Sequence, residues 1–330
     1  MNKFLNSIFG NNPLEFLSKL DNIRLFHSIT EIEKDSWNNL IGENNPFLEF
    51  EFLKGLEVSN SIGKSSGWLP YYLTFYSNEK QLIGAIPLYL KYNSYGEFIF
   101  DWSWASAYNQ SGIQYYPKFT IAVPFTPATG NRILIHPKAN YEETATTLIT
   151  VVLQIAKALK ISSVHWLFTT KAEMDFLVTK GFMPRYTYQF HWKNRGYQNF
   201  ADFLQEFNSK NRNQLKRERR QANEGIEIEV LTGEQIKPVH WKTMYTLYVG
   251  ITYKKWAHDY LTEGFFDYIS KNFQENVVLV MAKKDNKYIA GALNFRKNEH
   301  LYGRYWGCLV EHQCLHFEVC YYQSIEYAIK

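Results

Sequence analysis

The strongest constraint on this chain is an order of elements that occurs twice. Leu69 to Tyr76 (LPYYLTFY) is rich in β-formers, Ser77 to Lys80 is a polar turn, and Gln81 to Lys91 (QLIGAIPLYLK) resumes as a strand, which together predict a hairpin. Glu97 to Ala105 (EFIFDWSWA) alternates with a period of two and predicts a third strand, with Asp101 and Ser103 on one face and Trp102 and Trp104 on the other. A helix follows, because Ala145, Leu148, Ile149, Val152, Ile155, Ala156 and Leu159 recur at helical spacing and Asn140 can cap it. The same order returns as Asn276 to Lys284, a turn at Asp285 to Lys287, Tyr288 to Arg296, His300 to Trp306 (HLYGRYW) and a helix from Phe317 to Lys330. Even the local sequences correspond, IAGAL at 289–293 with LIGAIP at 82–87, so a tandem duplication is the simplest cause.

The first copy continues with a strand at Ile161 to Phe168, a helix at Lys171 to Lys180 ended by Gly181, and a strand at Tyr186 to Trp192. The expected domains are therefore 20–195 and 196–330, and the second is expected to be incomplete at its C-terminus because those last three elements have no counterpart before Lys330. A chain of 330 residues with 45% hydrophobic content has the length and the apolar material for two such cores. The three cysteines all fall between Cys308 and Cys320, which makes no disulfide framework and leads us to expect the cytoplasm. MNKFLNSIFGNNPLEF lacks the continuous apolar run of a signal peptide, and no stretch has the apolar length of a membrane span.

The run LYGRYWGCLVEHQCLHFEVCYYQSIEYAIK at 301–330 resembles the FemAB-like branch of the GNAT-type N-acyltransferases, the peptidoglycan biosynthesis or recognition proteins. FDWSWA at 100–105, YYPK at 115–118, PFTPATGNR at 124–132 and SKNRNQLKRERR at 209–220 resemble the same family, so the resemblance covers most of the chain. It implies an α/β fold of tandem GNAT-like domains, each a mixed, mostly antiparallel sheet flanked by helices. It further implies transfer of an acyl or aminoacyl group to an amine, with a small molecule or a cell-wall precursor as acceptor. Acyl-CoA is the first donor implied, yet the QxxGxG or RxxGxA loop that would hold its pyrophosphate is replaced by CLVEHQCLHF at 308–317, so charged tRNA is the alternative. No DNA partner is expected. A binding module for a cell-wall precursor or tRNA, without turnover, is the competing reading.

Candidate residues follow from charge and placement. Glu318 and His316 flank the start of the last helix, where a base could take a proton from an attacking amine, and Tyr322 or Tyr321 could return one to a leaving group. Alternation along HLYGRYW puts Tyr302, Arg304 and Trp306 on one face, an arginine between two rings that suits a carboxylate or phosphate, with Asp101 as the counterpart on the first copy's strand. Arg212, Lys216 and Arg219 share one face of a basic helix that could meet the phosphates of tRNA or of a nucleotide-linked substrate. The stiff segment 115–132 is long for a connector and offers Tyr116, Lys118, Thr126 and Arg132 for substrate contact. Cys308, His312, Cys314, His316 and Cys320 carry zinc-type ligands at the wrong spacing for zinc modules, so no metal is expected. IGKS at 62–65 lacks the first glycine of a P-loop.

Overall fold

The computed structural model describes residues 20–330 apart from 44, 100 and 255–258. The chain divides into two compact units that meet between Pro184 and Arg185. Each is a mixed α/β body with mostly antiparallel sheets flanked by helices.

The first unit carries β1 (Ile23–Phe26), α1 (Lys34–Asn38), α2 (Phe50–Val58), β2 (Trp68–Pro70), β3 (Tyr72–Tyr76), β4 (Leu82–Ile86) and β5 (Leu88–Lys91). After these come α3 (Trp102–Gln110), β6 (Lys118–Ile121), β7 (Leu134–Ile135), α4 (Tyr141–Ala158), β8 (Val164–Trp166) and α5 (Lys171–Thr179). The predicted hairpin forms, but both of its strands break at a proline that cannot donate to a ladder: β2 ends on Pro70, and Pro87 separates β4 from β5. The outer halves join one sheet, ordered β1-β3-β4-β7, and the inner halves another, β2-β5-β6-β8, in which β6 and β8 run parallel. Asn140 caps α4 by accepting from the Glu143 amide at 3.2 Å. The helix then lays Ala145, Leu148, Val152 and Ile155 against Leu73, Ile86, Leu88 and Phe119. Each such side chain contributes roughly 1.5–3 kcal/mol by leaving water. Gly84 permits the close approach, since a Cβ there would stand 2.7 Å from Thr144 Cγ2.

Two predicted strands are absent. Glu97 to Ala105 does not extend: Asp101 is the N-cap residue of α3, and the Trp104 and Ala105 amides donate back to its carbonyl at 3.0 and 3.1 Å. Asp101 is held inward by ionic contacts described below, and that anchor overrides a nine-residue alternation that Trp102, Trp104 and Tyr108 satisfy equally well as an exposed helix. Tyr186 to Trp192 carries no regular structure, and Tyr186, Tyr188 and Phe190 are almost wholly exposed. Alternation reports which way side chains point, not whether an edge is available to pair.

The second unit holds α6 (Phe200–Leu204), α7 (Ser209–Ala222), β9 (Glu227–Thr232), α8 (Pro238–Lys254), α9 (Glu263–Asn272), β10 (Val277–Lys284), β11 (Lys287–Lys297) and β12 (His300–Cys308). Its last helical stretch runs as α10 (Leu315–Phe317), a π-turn at Glu318–Tyr322 and α11 (Gln323–Ile329). The sheet is ordered β9-β10-β11-β12 and is antiparallel throughout. Leu315 and Val319 pack on one face with Val280, Ala290 and Ala292. Gly291, whose Cβ would meet Leu247 and Met244 of α8, marks the other face. Among the described residues no helix is long and apolar enough to cross a membrane.

Candidate functional site

In the first unit the antiparallel register sets Lys91 of β5 directly opposite Lys118 of β6, and both side chains are fully buried. Two like charges face to face in a sheet are destabilising unless acids answer them. Glu97 and Asp101 do so. The Lys118 ammonium donates to Glu97 Oε2 at 2.8 Å, to Asp101 Oδ2 at 2.5 Å and to Ser94 Oγ at 2.8 Å. Tyr115 donates its hydroxyl to the same Asp101 oxygen at 2.7 Å, and Ser94 Oγ lies 2.8 Å from Tyr116 OH. Lys91 stands 3.8 Å over the Trp68 ring and donates to the Tyr95 carbonyl at 3.1 Å.

The electrostatics divide these groups. Burial acts against the Asp101 carboxylate, but the Lys118 and Tyr115 bonds outweigh it and hold the carboxyl below its ordinary range. Burial raises Glu97 despite Lys118. Burial also lowers Lys91 to about 7, with Glu97 resisting and Lys118 adding to the shift. Asp101 Oδ1, buried like the rest of its side chain, has no hydrogen-bond partner among the described residues.

The 124–132 segment turns its predicted contact residues inward. Thr126 donates to the Pro124 carbonyl at 3.0 Å. Arg132, fully buried, donates from Nε to the Leu167 carbonyl at 2.9 Å and from Nη2 to the Ala128 carbonyl at 2.7 Å. Glu173 accepts from the Arg132 and Ile133 amides at 2.7 and 2.6 Å, and burial still pushes its carboxyl up to about 7 against those bonds and the Arg132 charge. These contacts staple the segment to the body of the unit.

In the second unit the residues proposed from the sequence separate into two groups. Glu318, fully buried in the π-turn, accepts a fork from Arg219 of α7, Nε to Oε2 at 3.0 Å and Nη2 to Oε1 at 2.8 Å, and a further bond from Gln323 at 2.7 Å. Arg219 also reaches Glu326 at 3.1 Å and lies 4.3 Å over the Phe200 ring. Tyr322 donates to Glu218 at 3.1 Å, and burial followed by that carboxylate raises its phenol. A carboxylate held by a bidentate guanidinium is a poor proton acceptor. His316, by contrast, is exposed, and its ring is framed by Trp306 at 4.9 Å, Phe317 at 5.6 Å and Tyr321 at 5.7 Å. Of the basic face, Arg219 is committed to this clamp, Arg212 reaches Gln205 at 3.0 Å, and Lys216 is exposed.

The predicted face of Tyr302, Arg304 and Trp306 is overturned by a β-bulge. Tyr305 pairs with Leu293 and Gly303 with Asn294, which leaves Arg304 as the extra residue. Tyr302 then opposes Phe295 and Trp306 opposes Ala292, so the two rings lie on opposite faces of the sheet. Sequence reasoning missed Lys91 and Glu97. A lysine ending an apolar strand reads as a solvated end, and only its register with the lysine of YYPK reveals the pair.

No curated protein matches the chain. Among solved structures it is similar to an aminoglycoside antibiotic 6′-N-acetyltransferase from Acinetobacter baumannii at 15% identity, over 52% of this chain and 97% of that one, with a TM-score of 0.32, a likeness too slight to carry an argument. Residues 28–330 match the FemAB-like family, described as peptidoglycan biosynthesis/recognition. The chain belongs to this FemAB-like family.

Proposed function

We propose that the chain transfers an acyl or aminoacyl group to an amine of a peptidoglycan precursor through tandem GNAT-like units. The observation that carries the reading is the exposed imidazole of His316 in its aromatic frame, in a chain whose family works on peptidoglycan. The amine nitrogen attacks the carbonyl carbon of an activated ester or thioester, and the new C–N bond forms as the C–O or C–S bond breaks. His316 takes the proton that the amine must lose and returns it to the departing oxygen or sulfur. Trp306 and Tyr321 hold the ring in place, while the Arg219–Glu318 fork fixes the turn from which His316 projects. In this reading Glu318 and Tyr322 position and do not exchange protons.

The turn at 309–314 fits a pyrophosphate poorly. It has no glycine, it includes Glu311, and the ring nitrogen of His312 is occupied 3.1 Å from the Gln221 carbonyl. No step is therefore routed through acyl-CoA. Aminoacyl-tRNA is the other donor, with Lys216 and Arg220 exposed on α7 for its phosphates. The locked state of Glu318 and Tyr322 also favours a second reading, a module that binds the precursor without turnover.

Incubation with labelled acyl-CoA and labelled aminoacyl-tRNA, each with an amine-bearing precursor, separates the two. Label on the acceptor amine that falls about 10²–10⁴-fold in His316→Ala supports the transferase. Saturable precursor binding with no product from either donor supports the module, and undiminished product from His316→Ala removes the assigned base.

A further inference from the structure

We propose that the first unit binds a neutral amino-sugar ring on the aromatic surface around α3, with Asp101 as a polar anchor. Tyr95, Phe98, Trp102 and Trp104 are 50, 42, 59 and 45% exposed, and α3 buries none of its residues. Large rings held at a surface are an asset only where something flat and partly apolar lies on them. These rings are also fixed to the buried ionic cluster. The Tyr95 carbonyl accepts from Lys91 at 3.1 Å and from Trp68 Nε1 at 3.0 Å, and Trp102 follows Asp101 directly in the chain.

The chemistry of the occupant follows from the cluster. Lys91 and Lys118 are matched by Glu97 and Asp101, so the cluster offers no surplus charge to attract an anion or a cation. What it does offer is an acceptor, because Asp101 Oδ1 is buried and has no partner, a position that costs stability until a donor reaches it. A pyranose has the complementary surfaces: its C–H face stacks on aromatic rings, and its hydroxyl or N-acyl N–H donates to a carboxylate. An N-acetylated hexosamine, the kind of sugar present in a peptidoglycan strand, satisfies both, and the inference rests on the peptidoglycan reading for that choice of sugar.

The test is titration of the full chain with an N-acetylglucosamine disaccharide, followed by calorimetry and tryptophan fluorescence, with maltose as the sugar lacking acetamido groups. Saturable binding that prefers the acetamido sugar is expected, and Trp102→Ala and Trp104→Ala should each weaken it about tenfold. Both tryptophans sit on a helix with no buried residue, so these variants keep the fold, which circular dichroism verifies. Asp101→Asn should weaken binding by a similar factor, with its thermal midpoint recorded because it also loosens Lys118. Absence of saturable binding, equal affinity for maltose, or affinity unchanged in both tryptophan variants overturns the inference. Sugar affinity without acyl product would count against the transferase alone, and product formation without sugar affinity would count against this site alone.

Discussion

Each unit contains a buried ion cluster, and the two are built on opposite principles. In the second unit an arginine fork meets Glu318 in bidentate geometry, Gln323 takes a remaining lone pair, and the Arg219 side chain keeps 20% of its surface in contact with water. In the first unit a lysine, a point charge on a flexible stem, is shared among Glu97, Asp101 and Ser94 with side-chain exposures of 0 to 3% for the ion pairs, beside a second lysine that repels it. The first arrangement satisfies every strong group and looks inward. The second leaves one carboxylate oxygen without a donor and one lysine without a carboxylate in contact. Completeness of hydrogen bonding distinguishes a clamp from a site.

Removing one member of each cluster should break the symmetry of that comparison. Lys118→Met strands Glu97 and Asp101 in the interior and should lower stability by about 3–5 kcal/mol, read from urea unfolding of the full chain. Lys91 could swing toward Glu97 in response, so a Lys91→Met, Lys118→Met double variant that falls further than the single would show that rescue.

Proton linkage offers a second contrast. Burial lowers Lys91 to about 7 from an unfolded value near 10.5, so its neutral form is the one the fold favours. Stability from this group is fully present above the unfolded value and is lost as pH falls toward 7. The unfolding midpoint should therefore climb between about pH 7 and pH 10, and Lys91→Met should flatten the climb. A slope unchanged by that substitution would place the titration elsewhere.

A smaller loss is expected in the second unit. Glu318→Gln keeps the shape but removes the charge from the fork, and because Arg219 retains water the cost should be about 1–3 kcal/mol by thermal or urea unfolding. The smallest effect belongs to Arg219→Lys, about 1 kcal/mol, which preserves charge and discards the fork. Equal losses for the two would mean that charge alone holds the clamp and that its geometry is incidental.

Much of the fold was legible in sequence because it lies in local pattern. The hairpins, the capped helix at Tyr141–Ala158 and the strands from Val277 to Cys308 follow from period and turn chemistry. The failures share one cause: Glu97 to Ala105, Tyr186 to Trp192 and the Tyr302–Trp306 face each read alternation as if it settled pairing. Whether an alternating run finds an edge, or a bulge resets its phase at Arg304, depends on residues far away in sequence. The site was legible to the same degree. His316, Lys118 and Asp101 stood out as charged residues within aromatic runs, whereas their partners Glu97, Ser94 and Lys91 become visible only when β5 and β6 are laid side by side.

The π-turn at Glu318–Tyr322 has a bearing on how this region tolerates insertions and deletions. A π-turn is an α-helix that has absorbed one extra residue. Excising a single residue there would leave an unbroken helix that is locally easier to form. It would also turn everything after it by about 100°. Gln323 and Glu326, which now meet Glu318 and Arg219, would be carried away from them together. In this stretch, shortening the chain by one residue is a larger change than replacing any one side chain in it.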